Sequence, residues 1–161
     1  MRTYRTGALS LGVAIALAGG ITGTAQADQP NVVTAIKAQD KIMKQSPALK
    51  KINNLNGTSK AQARKLVADL GKLEKLSEHA VSVVAKASTS DAKQRQGKQD
   101  WLKGTREQNR GLLQLRTALK SAIAGNKTAF KGEYTKALKT LISGAQLSAK
   151  GDKLLGLPTN D

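Results

Sequence analysis

The chain has 161 residues, with 27 Lys and Arg against 11 Asp and Glu, a formal charge of +16, a single His and no Cys. The missing cysteine excludes disulfides, thiol catalysis, thiolate metal centres and a lipidation site, and any nucleophilic triad would have to use His79. The positive field favours anionic partners and makes such encounters sensitive to salt.

Residues 1–27 have the three parts of a cleavable secretory leader. A basic start at Arg2 and Arg5 precedes an apolar run from Ala8 to Ala18, and Ala25-Gln26-Ala27 has the small-x-small pattern of a cleavage site. The run is shorter than the ~20 apolar residues that span a bilayer, and Gly19 and Gly20 interrupt it. The sequence therefore predicts an exported bacterial protein whose mature chain, 28–161, is a single domain. It is expected to be secreted, extracellular or associated with the cell envelope, and not transmembrane after cleavage. The tail from Leu157 begins like a sortase signal, but Asn160 departs from that pattern and no apolar tail follows.

In the mature chain, Val32, Val33, Ile36 and Met43 recur at helical spacing, predicting a helix over about 31–45. Ser46-Pro47 reads as an N-cap and first helical residue, so the helix breaks and restarts through Leu49, Ile52 and Leu55 until Asn56-Gly57. Ser59 with Gln62 forms a capping-box pattern ahead of a long helix with a stripe of Leu66, Leu70, Leu73, Ala80, Val84 and Ala87; Ser77 takes one apolar place. Ser88-Thr89-Ser90 ends it, and Asp91 with Gln94 repeats the capping pattern.

The next helix, 91–123, carries a stripe of Trp101, Thr105, Leu112, Leu115, Leu119 and Ile123, flanked by Gly97, Gly104 and Gly111 at intervals of seven. Interior glycines each cost about 1 kcal/mol against alanine, so three in register predict close passage of a neighbouring helix. Gly125-Asn126 closes this helix. A last stripe runs through Phe130, Tyr134, Ala137, Leu141, Ala145, Ser148 and Leu155 until Gly156 and Pro158. Short connections between helices of similar length predict an all-α, up-down antiparallel four-helix bundle with the first helix broken at Ser46-Pro47. The alternative is three long helices plus an N-terminal helical hairpin.

Nothing in this pattern composes a catalytic site. His79 sits in a helix, without a nucleophile elbow or a strand-borne serine. Glu74 and Glu78 share a helix face, but His79 points about 100° away and Lys75 opposes a cation, so no metal or other cofactor is expected. Most acids precede a base at helical spacing: Asp69 with Lys72, Asp100 with Lys103, Glu107 with Arg110, Glu133 with Lys136, and Asp40 with Lys44.

The informative charges are two basic ridges, Lys37, Lys41 and Lys44 on the first helix and Lys103, Arg106 and Arg110 on the third long one. Lys127, Lys131, Lys136 and Lys139 enrich the last helix. These residues predict a non-enzymatic protein that binds an anionic polymer, a lipid headgroup or an acidic protein. Without aromatic interleaving, sequence-specific nucleic-acid recognition is not expected. The alternative is a structural or protein-protein interaction bundle that uses an apolar groove, with the charge serving solubility.

Overall fold

Serine and aspartate start two of the long helices at the predicted positions, Ser59 and Asp91, and asparagine starts two more, at Asn31 and Asn126. In the computed structural model, which describes residues 29–52 and 59–158, the helices are α1 (Val32–Met43), α2 (Pro47–Ile52), α3 (Lys60–Lys86), α4 (Ala92–Ile123) and α5 (Lys127–Leu154). The described residues contain no strand beyond an isolated bridge between Asn31 and Ser88, and their packing is that of a helical bundle. The predicted leader, the Leu55 contact, the Asn56-Gly57 stop and Asn160 lie outside the described residues.

The starts of α1, α3, α4 and α5 each have a side-chain acceptor for a backbone amide that the first turn leaves free. Asn31 Oδ1 accepts from Val33 N at 2.9 Å, and Asn126 Oδ1 accepts from Ala129 N at 3.0 Å. Ser59 and Gln62 form the full reciprocal box, at 3.3 and 2.8 Å. Ser59→Ala is expected to lower stability by about 1 kcal/mol, read as a shift in the urea midpoint. The box predicted at Asp91 forms only by half. Asp91 accepts from Gln94 N at 2.7 Å, but Gln94 Oε1 accepts from Ser90 N and from Asn31 Nδ2, both at 3.1 Å, so it ties the start of α1 to the start of α4.

At the other end, Gly125 and Gly156 take the left-handed backbone, with φ of 86° and 68°. The turn at Gly156 returns the Leu157 amide to the Asp152 carbonyl at 2.9 Å and leaves Leu157 buried. Pro47 opens α2, and the Ser46 amide before it donates back to the Met43 carbonyl at 2.9 Å.

The apolar stripes meet in one core. Val32, Ile36 and Met43 from α1 join Leu66, Leu70, Leu73 and Val84 from α3, with Trp101, Leu112 and Leu115 from α4 and Leu141 from α5. Ser77 and Thr105 are buried in this face, Thr105 donating to the Trp101 carbonyl at 2.9 Å, whereas Ile123 is only half-buried. α1 and α2 rest on α3. The Val32 amide donates to the Ser88 carbonyl at 2.9 Å, and Lys51 pairs with Asp69 at 3.1 Å.

The most extensive packing joins α4 to α5, and glycine makes it possible. A Cβ on Gly104 would fall onto the Ser148 backbone nitrogen and 2.6 Å from the Gly144 carbonyl oxygen. One on Gly151 would lie 2.7 Å from the Gly97 carbonyl oxygen and 2.6 Å from Trp101 N. Gly111 receives Leu141 in the same way, its Cβ position being 2.7 Å from Leu141 Cγ. Gly97, Gly104 and Gly111 thus meet α5 in reverse chain order, so the two helices run antiparallel. The three glycines read from the sequence are half of this surface; Gly144 and Gly151, also seven apart, supply the facing half.

Candidate functional site

Basic side chains fall on the faces that the apolar stripes leave outside. Lys37, Lys41 and Lys44 are exposed on α1, opposite buried Ile36, Gln39 and Met43. Lys103, Arg106 and Arg110 are exposed on α4, opposite buried Trp101, Thr105 and Leu112. Each ridge lies outside the buried stripe of its own helix, and neither lines the groove between α3 and α4. Arg110 is held by Glu107 at 2.8 Å; among the described residues it is the only one of the six in an ion pair.

The acids choose partners differently from the helical spacing. Glu107–Arg110 forms as predicted, but Asp69 pairs with Lys51 of α2 at 3.1 Å instead of Lys72, and Asp100 pairs with Lys150 of α5 at 2.9 Å instead of Lys103. Glu133 accepts from Ser121 Oγ at 2.7 Å, across the α4–α5 turn. These acids sit near helix-helix seams, where a base on the neighbouring helix is closer than one a turn away on their own. Lys103 therefore has no carboxylate partner among the described residues.

Charges from two helices do converge in a groove between α3 and α4, lined by Lys72, Lys75, Arg116 and Lys120 together with Glu74 and Glu78. Arg116 crosses from α4 to donate to Glu74 Oε2 on α3. Its guanidinium lies over Gly71, where a Cβ would come within 3.3 Å of Nη1. The other oxygen of Glu74, Oε1, is buried without a hydrogen-bond partner among the described residues. Burial raises the Glu74 carboxyl above its usual range, Glu78 adds to the rise, and Arg116 and Lys120 oppose it.

From the sequence, Glu74 and Glu78 stand out only as part of a rejected metal set with His79, and Lys75 only as a charge against it; Arg116 and Lys120, four apart on α4, carry no signal that joins them to these residues. Glu78 and His79 are exposed. No described helix is long and apolar enough to cross a membrane.

At the opposite edge, Asp152 is buried in the last turn of α5, and its carboxyl is pushed up to about 7 by burial, with the charge of Asp40 on α1 adding to the rise. Asp40 is itself raised by burial, with Lys44 opposing. An acid of α1 is thus near enough to an acid of α5 for their charges to repel. Comparison with protein-family models, with curated proteins and with solved structures gave no match.

Proposed function

We propose that this is an exported, non-enzymatic bacterial protein that binds an anionic component of the cell envelope or its surroundings. The observation that carries this reading is the surplus of outward cations: Lys37, Lys41, Lys103 and Arg106 are exposed and in no ion pair among the described residues, and Lys44 is exposed with only the through-space field of Asp40 acting on it. Such cations meet a polyanion without first breaking an internal bond. Ridges on two helices suit an extended or multivalent partner such as an anionic polymer, a headgroup surface or an acidic protein. The architecture that accompanies this reading is an up-down bundle of four members, with α1 and α2 as one member broken at Ser46-Pro47. After loss of residues 1–27 the mature protein would act outside the cell.

The test is cosedimentation of the mature protein with envelope fractions and with anionic vesicles. Substituting Lys103, Arg106 and Arg110 together by Gln is expected to weaken binding on the order of 100-fold, at roughly 1 kcal/mol per cation near an anionic surface. Raising the ionic strength to 1 M, where the screening length falls to about 3 Å, should release the wild-type protein. Binding that survives high salt, or that ignores the triple substitution, would sink this reading in favour of recognition through an apolar groove.

A further inference from the structure

The ridges explain attraction to polyanions in general, but the α3–α4 groove has the build of a defined site. We propose that it binds a phosphate group, with Arg116 and Lys120 on one wall, Lys72 and Lys75 on the other, and Glu74 as an internal competitor for Arg116. This rests on the reading of the protein as a binder of anionic partners and names the chemical group.

Four observations converge on it. First, the groove collects four cations from two helices, Lys72, Lys75, Arg116 and Lys120, against the two acids Glu74 and Glu78. The surplus of positive charge complements a dianion. Second, a guanidinium has five donors in a planar fork, and the bond to Glu74 is the only one recorded for Arg116 among the described residues, so donors remain for a ligand. Third, Gly71 lies beneath that guanidinium, with an added Cβ 3.3 Å from Nη1, so the end of Arg116 rests close against the α3 surface inside the groove. Fourth, the Glu74 carboxylate is half satisfied, its buried Oε1 lacking a partner, so the internal pair is a poor final state for Arg116.

A tetrahedral phosphate presents oxygens in several directions and can engage both walls at once. A carboxylate offers two oxygens in one plane and suits a single wall. Val67 and Ala68 form an apolar side of the groove that suits the carbon portion of a phosphate ester. Phosphate at Arg116 displaces the Glu74 oxygen, and the two negative groups then repel. Removing the Glu74 charge should therefore strengthen binding, while removing Arg116 should weaken it.

The experiment titrates the full chain with inorganic phosphate, following the Arg116 side-chain N–H signals by NMR and heat by calorimetry, with circular dichroism to check the fold. Arg116→Gln is expected to lower affinity by about tenfold or more, the usual worth of a charge-assisted hydrogen bond. Glu74→Gln is expected to raise affinity about fivefold by relieving repulsion between neighbouring charges. Gly71→Ala should keep the helix and lower affinity by displacing the guanidinium. If the pair is merely structural, Glu74→Gln and Arg116→Gln both reduce stability and neither moves phosphate binding; that result overturns the proposal, as does a loss of affinity in both.

Vesicles of phosphatidic acid, with phosphatidylcholine as control, form the second arm. A response to the free ion assigns the site to soluble phosphate, and one to phosphatidic acid alone assigns it to a headgroup. Silence in both arms rejects the site. If Lys103, Arg106 and Arg110→Gln abolishes envelope binding while groove variants do not affect any anion, the groove proposal fails and the broader reading stands. If the groove titrates phosphate but envelope binding is insensitive to salt, the groove stands and the broader reading fails.

Discussion

Gly104→Ala is expected to destabilise the protein by about 3 kcal/mol and to lower its thermal midpoint by roughly 10 °C, although alanine is the better helix former. The added methyl would meet the Ser148 backbone nitrogen and lie 2.6 Å from the Gly144 carbonyl oxygen, and backbone atoms inside a helix cannot swing aside as a side chain can. Relief requires α5 to move away from α4, which opens the neighbouring Gly97–Gly151 contact as well. Gly132→Ala is the matched control. It is exposed on α5 with nothing within 4 Å of an added Cβ, so the same substitution should stabilise by about 1 kcal/mol. Thermal unfolding followed by circular dichroism measures both. Two stabilising alanines would mean that α4 and α5 do not pack through their glycines.

Asp152→Asn is expected to stabilise the protein at pH 8 and to leave it nearly unchanged at pH 4. The side chain is buried beside the C-terminus of α5, where the helix dipole also disfavours a negative charge, and its carboxyl is raised from 3.8 to about 7 by burial, with Asp40 adding to the rise. In the unfolded chain the group ionises near its ordinary value. Between these two values the folded state holds a proton that the unfolded state has released, so stability falls as pH rises from about 4 to about 7 and levels off above. A displacement of about three pH units corresponds to about 4 kcal/mol at full ionisation. The amide cannot ionise, so the variant should lose this slope. Urea denaturation across pH 4 to 8 reads the effect; parallel curves for the two proteins would show that Asp152 is not the group responsible.

Both results depend on the neighbour across a helix seam, and that is where the sequence stops being legible. The stripe of Leu66, Leu70 and Leu73 places its own helix and names its buried face, because a 3.6-residue period is a property of a single segment. The Ser59–Gln62 box is equally local. The Asp91–Gln94 pattern looks the same in sequence, yet Gln94 turns to Ser90 and Asn31 because α1 begins beside it. Asp69 and Asp100 likewise leave their helical partners for Lys51 and Lys150, at 3.1 and 2.9 Å, because the facing helix is nearer.

The candidate sites divide in the same way. The outward ridges of Lys37, Lys41, Lys44 and of Lys103, Arg106, Arg110 were legible, since exposure follows from lying opposite an apolar stripe. The groove was not, because Glu74 and Arg116 are 42 residues apart and belong to different helices. Nothing in the sequence shows that the Arg116 guanidinium rests against α3 at Gly71.

The sequence by itself determined the helical class, the capped starts at Ser59 and Asp91, most of the apolar stripes, the basic surface and the glycine interval on α4. Those follow from caps, dihedral preferences and periodicity, whose physical range is a few residues. Only the tertiary structure decided that Gly144 and Gly151 answer the α4 glycines, that Arg116 reaches Glu74, and that Asp152 is buried near another acid. Close approach, ion pairing and desolvation act across the space between helices, and they depend on the register of one helix against the next.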